Sequence, residues 1–240
     1  MCRHRILLAL TLSLYAGIGA AGPSGSEAGA FAPGAYYLKR MELFAAAPLA
    51  AGDIVFLGDS LTEGAHWGEL LPGRPVRDRG IAGDTTAGVL ARIATITAAR
   101  PAAVFLMIGT NDLAASPDPA PSLARQREII ARIRRESPST HVFVQSLLPR
   151  AAVFRERIEG YNLALYGICR DLGATWVDLY PGFLAPDGAL RRELTYDGVH
   201  LSPAGYRLWR SMLAPHLGAL RAAQPGAFAP APVPGGPDPG

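Results

Sequence analysis

Residues 54–62 read Ile-Val-Phe-Leu-Gly-Asp-Ser-Leu-Thr, and their reading decides the fold. Four apolar residues without polar alternation suit a short strand buried on both faces, as in a parallel sheet. The run breaks at Gly58, and a polar turn leads into a helical pattern. Three further runs resemble it: 104–108, ending at Gly109; 142–144; and 176–179. Residues 74–79 are a weaker candidate, with Val76 as the only large apolar residue. Helical stripes fill the gaps. Val89, Leu90, Ile93 and Ile96 precede Pro101. Ile129, Ile130 and Ile133 precede Pro138, and Ile158, Leu165, Ile168, Cys169 and Leu172 precede Gly173. A last helix is expected from Ser202-Pro203, with Leu208, Trp209, Met212, Leu213 and Leu217 on its buried side. Strands alternating with helices of this length predict a three-layer α/β/α sandwich.

The chain has 240 residues, 49% of them apolar, enough for one domain with a proper core. Its 23 basic and 20 acidic residues give a formal charge of +3. The arginines are scattered, which argues against a nucleic-acid partner. Arg3 and Arg5, an apolar run from Ile6 to Ala16, and small residues Gly19, Ala20 and Ala21 read as a signal peptide over 1–21. The expected destination is the periplasm or the exterior, with no stable membrane insertion of the mature form. Cleavage would remove Cys2 and leave Cys169 as a buried, inert thiol. Residues 22–35, rich in Gly, Ala, Ser and Pro, read as a flexible lead-in, and the Ala/Pro/Gly tail at 222–240 as disordered. The folded domain is expected over 36–221.

In open α/β sheets the site lies beyond the carboxyl ends of the strands. Three polar clusters fall at or beyond predicted strand ends, and a fourth follows the last strand. Gly58-Asp59-Ser60-Leu61-Thr62 places Ser60 at a helix start, where free N–H groups face developing negative charge. Read alone, it is also an ordinary helix cap. In 79–86, Gly83 offers an unobstructed N–H, though the segment also reads as a capped turn. In 109–112, Asn111 carries an amide donor, and an Asx turn reads equally well. In 197–202, His200 is a candidate general base and Asp197 a candidate partner that fixes its tautomer. His66, His141, His200 and His216 show no ligand spacing, so no metal is expected, and no phosphate-binding loop suggests a nucleotide. No cofactor is expected.

Together the four segments resemble the SGNH hydrolases, also called GDSL-like lipases and esterases. The resemblance runs from about Gly52 to the last helix. It implies a flavodoxin-like five-stranded parallel sheet, Ser60 as nucleophile, Asp197 and His200 as its partners, and an oxyanion hole from Ser60, Gly83 and Asn111. Stretches 56–61, 79–86 and 106–113 look most like the subgroup related to platelet-activating-factor acetylhydrolase, whose bacterial relatives are often labelled sialate O-acetylesterases. The expected reaction is hydrolysis of small O-acyl esters, acetyl foremost, on a small molecule or a saccharide. A thioesterase, lysophospholipase or acyltransferase would share these residues. A non-catalytic binding module would lack one of them, and none is missing. Trp67, Leu147, Leu148 and Val199 are candidate pocket residues, with core packing as the competing reading for the leucines and the valine. Self-association through helix faces is compatible with the sequence.

Overall fold

The computed structural model describes residues 31–223, with side chains to Leu220. The expected signal peptide, most of the lead-in and nearly all of the tail lie outside the described residues. In chain order the elements are α1 (Ala35–Ala46), β1 (Ile54–Gly58), α2 (Ser60–Glu63), α3 (Trp67–Leu70), β2 (Val76–Gly80), α4 (Thr86–Thr97), β3 (Ala103–Met107), α5 (Thr110–Ala115), α6 (Ala120–Glu136), β4 (His141–Gln145), α7 (Arg155–Leu172), β5 (Thr175–Val177), α8 (Tyr180–Phe183) and α9 (Pro203–Ala223). The five strands form one parallel sheet in the order β2-β1-β3-β4-β5.

That order explains the three layers. The step from β1 to β2 runs one way across the sheet, and every later step runs the other way. Right-handed crossovers then put α4, α6 and α7 on one face and the β1–β2 connection on the opposite face. Accordingly α4 packs on α6 and α6 on α7, while α3 meets α9. The direction changes between β1 and β3, so the crevice at their carboxyl ends is the switch point of the sheet.

Strands β1 and β3 are buried at every position. Register aligns Phe56 with Phe105 and Phe105 with Phe143. Their rings stack at 5.0 and 4.4 Å, and Trp67 of α3 lies on Phe56 at 3.6 Å. Trp209 of α9 crosses Trp67 edge-on and donates its indole N–H to Gln145 Oε1 at 2.6 Å, while the buried Gln145 Nε2 has no partner among the described residues. Gly58 ends β1 where a side chain has no room. A Cβ there would lie 2.3 Å from the Met107 carbonyl and from Thr62 Oγ1. Cys169 is 1% exposed, and burial pushes its thiol up to about 12.

Every strand shifts at one or both ends by a residue or two from the sequence reading, with β3 at Ala103–Met107 rather than 104–108, and differences also occur at α9 and α1. Strand β5 stops at Val177, because Asp178 and Leu179 turn into α8, with Ser146 Oγ accepting from the N–H groups of Leu179 and Tyr180. Helix α9 runs to Ala223, two residues into the expected tail, as the alanines there favour. Helix α1 was not anticipated. None of its residues is fully buried, and Tyr37, Arg40, Met41 and Phe44 form its half-buried side. The Phe44 ring lies under the Arg79 guanidinium at 4.7 Å, and polar contacts add to the docking. Arg40 bonds Asp78 and the Gly80 carbonyl, and Tyr37 donates to the Gly88 carbonyl. No described helix is long and apolar enough to cross a membrane.

Candidate active site

Ser60 is the first residue of α2, one residue beyond the turn that ends β1. Asp59 caps that helix, its Oδ1 accepting from Leu61 N–H at 3.0 Å. Ser60 Oγ lies 3.0 Å from His200 Nε2, and His200 Nδ1 lies 2.7 Å from Asp197 Oδ2. Two residues 140 positions apart are thereby brought into hydrogen-bond contact.

The loop carrying His200 is built to hold the ring in one orientation. A bridge between Thr195 and Leu201 closes it. Thr195 Oγ1 donates to the His200 carbonyl and accepts from Gly198 N–H. Asp197 Oδ1 accepts from Val199 and His200 N–H at 2.9 and 2.7 Å, which leaves Oδ2 for the ring. The imidazole bond, then the two main-chain donors, hold the Asp197 carboxyl down at about 2. An ionised Asp197 accepts a hydrogen bond from His200 Nδ1–H, which keeps the ring proton on Nδ1 and turns the Nε2 lone pair to Ser60. Such an arrangement can draw the hydroxyl proton away from Oγ as a bond forms there.

Three donor groups follow the carboxyl ends of the neighbouring strands β1, β2 and β3. The Ser60 N–H sits in the first turn of α2, where no intrahelical acceptor exists. Gly83 adopts φ +77°, a conformation other residues resist, and no hydrogen bond among the described residues uses its N–H. Asn111 opens α5 at the end of β3 and donates one amide proton to the Asp84 carbonyl at 2.8 Å. That bond identifies Nδ2, and the second amide proton remains for a ligand.

The structure differs from the sequence reading on the pocket. Trp67 is 3% exposed, stacked on Phe56, with its indole N–H given to the Thr62 carbonyl. Leu147 and Leu148 are also buried, and Asn162 brackets the Leu147 main chain with two hydrogen bonds. These three belong to the core, because the apolar rows of β4 and α3 run straight into it. Val199 is half-buried in the His200 loop. A cavity of about 440 Å³ lies next to that loop instead, lined by Gly64, Glu69, Tyr196, Leu201, Tyr206 and Arg207. The sequence signal for it was the exposed aromatic Tyr196, directly before Asp197.

Asp59 is 1% exposed and its Oδ2 has no partner. Burial foremost lifts its carboxyl to about 7, against the pull of Leu61 N–H. A raised folded value means the native state keeps a proton that the unfolded chain releases. Its stability contribution is therefore full below about pH 4 and lost as pH rises to about 7. Asp59→Asn removes this dependence. Relative to wild type, the variant should gain stability between pH 4.5 and pH 8, by as much as about 3 kcal/mol. Urea midpoints at both pH values check this, and an equal change in the two proteins contradicts it.

The GDSL-like Lipase/Acylhydrolase family matches residues 56–208. The chain is similar to the alpha1 subunit of platelet-activating factor acetylhydrolase IB from Rattus norvegicus, at 32% identity over 167 residues, 64% of this chain and 70% of the relative. The Homo sapiens subunit is 30% identical over 164 residues, with the same coverage. Among solved structures, a GDSL-like lipase from Bacteroides thetaiotaomicron superposes with a TM-score of 0.67 at 23% identity, covering 78% of this chain and 98% of that one, and supports the fold.

Proposed function

Because the chain belongs to the GDSL-like lipase/acylhydrolase family and is a carboxylester hydrolase, we propose that Ser60 is its nucleophile, that His200 is the base and Asp197 its partner, and that the substrate is a small O-acyl ester, acetyl foremost, of a saccharide. The observation that carries this reading is the chain of contacts from Ser60 Oγ to His200 to Asp197, at 3.0 and 2.7 Å.

Ser60 Oγ attacks the ester carbonyl and its proton passes to His200 Nε2. The carbonyl oxygen becomes an oxyanion, held by the N–H groups of Ser60 and Gly83 and the amide of Asn111. The tetrahedral species collapses to an acyl-enzyme, and His200 returns the proton to the departing alcohol. Water then attacks the acyl carbon and gives a proton to the same nitrogen; the second tetrahedral species collapses, the bond to Ser60 Oγ breaks, His200 returns the proton to Oγ, and the carboxylic acid leaves. Asp197 offsets the charge on His200 at each transfer.

The acyl preference draws support from the acetylhydrolase relatives. The saccharide draws support from the cavity beside His200, where the Tyr196 ring, 75% exposed, stands with Glu69 and Arg207, groups suited to stacking on and bonding a polyol. Export, in the same reading, rests on residues 1–21. Initial rates on esters from acetyl to palmitoyl test the acyl preference, and rates on acetylated sugars against alkyl acetates test the alcohol. A maximum at long chains would assign a lipid substrate. Faster transfer to an added alcohol than to water would assign an acyltransferase.

The role of Asn111 has its own expected result. Losing one oxyanion donor costs about 2.7–4 kcal/mol of barrier. Asn111→Ala should therefore lower kcat by roughly two to three powers of ten with little change in KM. A loss below about threefold in a folded variant would contradict the assignment.

A further inference from the structure

Arg92 of α4 is fully buried, and its carboxylate partner is Asp84, in the loop that carries Gly83. The pair meets at 2.8 Å, with side-chain exposures of 1% and 0%. The same guanidinium donates to the Gly58 carbonyl at 3.1 Å and to the Arg79 carbonyl at 2.8 Å. One cation thus joins the end of β1, two residues before Ser60, to the end of β2 and to the Gly83 loop. The main chain of Asp84 does further work. Its N–H bonds the Ile81 carbonyl at 3.0 Å, closing the turn that contains Gly83. Its carbonyl accepts from Asn111 Nδ2 at 2.8 Å. On the far side of the loop, Asp112 accepts from both the N–H and the hydroxyl of Thr86, at 2.9 and 2.6 Å.

We propose that Asp84, held by Arg92, is a positioning residue for the oxyanion hole, setting the Gly83 N–H and the Asn111 amide together against Ser60. It touches no reacting atom. The proposal rests on reading those groups as the oxyanion donors. A buried ion pair is a costly way to stabilise a fold, since apolar residues of similar volume often serve as well or better. Its directional bonds to two strand ends and a loop are what an apolar pair cannot supply. Donor placement matters on a fine scale, because a misplacement near 1 Å can cost about a hundredfold in rate.

The test compares full-length wild type, Asp84→Asn, Arg92→Lys, Asn111→Ala and the double variant Asp84→Asn/Asn111→Ala on an acetyl ester. Asp84→Asn keeps the shape and weakens the grip on Arg92. Arg92→Lys keeps the charge and loses the fork that reaches both carbonyls. Each should lower kcat about tenfold to a hundredfold with KM within about twofold, in protein with native circular dichroism. In the Asn111→Ala background the Asp84→Asn penalty should shrink, because part of what it misplaces is already gone. Wild-type kcat in either single variant overturns the proposal, and so does an undiminished penalty in the double variant. If Asp84→Asn does not fold, Arg92→Lys alone decides by the same kcat criterion. An unchanged kcat in Asn111→Ala is a separate outcome, and it removes the oxyanion reading itself.

Discussion

Ser60→Ala is expected to lower kcat on an acetyl ester by a factor on the order of 10⁴–10⁶ while leaving the folded protein as stable as wild type. Both halves follow from the geometry. The Ser60 hydroxyl has His200 Nε2 as its side-chain contact, and it lies at the open end of the sheet rather than in the core. Removing it deletes the atom that forms the acyl-enzyme and no packing contact, so stability should stay within about 0.5 kcal/mol. Catalysis left over would come from the oxyanion donors acting on bound water. The check pairs initial rates with thermal unfolding of both proteins. A folded variant that retains more than about a hundredth of wild-type kcat would contradict the nucleophile, far outside the range such deletions show.

Asp197→Asn is expected to lower kcat about 10⁴-fold at pH 7–8. The size follows from how the carboxylate is used. Oδ1 already serves two main-chain donors, Val199 and His200 N–H. The asparagine oxygen must stay there, because the amide nitrogen would meet those donors with its own protons. The NH₂ group is thereby forced toward His200 Nδ1, which must then accept. The ring proton moves to Nε2 and points at Ser60, so His200 cannot take the hydroxyl proton. The loop keeps its two main-chain bonds, so the fold should be unaffected. Rates at pH 7–8, with circular dichroism as control, decide this. A loss below about tenfold would mean that the tautomer is set by something other than Asp197.

Much of this architecture was readable beforehand, and particular residues show why. The run Ile54–Leu57 is apolar throughout because β1 is central and covered on both faces, so it stands out from any half-exposed strand. Gly58, Ser60, Asn111 and His200 follow strand ends or loops where composition changes sharply. Helix α1 is harder to read, because it has no fully buried residue and docks in part through hydrogen bonds of Arg40 and Tyr37. Arg92 was passed over because a lone arginine on a helical stripe looks like a solvated residue, and only the fold turns it inward. Trp67 follows the nucleophile by two helical turns, yet sequence distance carried no direction, and its ring points into the Phe56 layer. The cavity beside Tyr196 joins residues far apart in the chain, which no local pattern reports.

The mechanism requires a covalent bond to Ser60. Wild-type protein treated with a fluorophosphonate, an analogue of the tetrahedral species, should lose activity in step with one label per chain, and peptide mass spectrometry should place that label on Ser60. A label on any other residue, or full activity in protein whose Ser60 carries it, would contradict the mechanism.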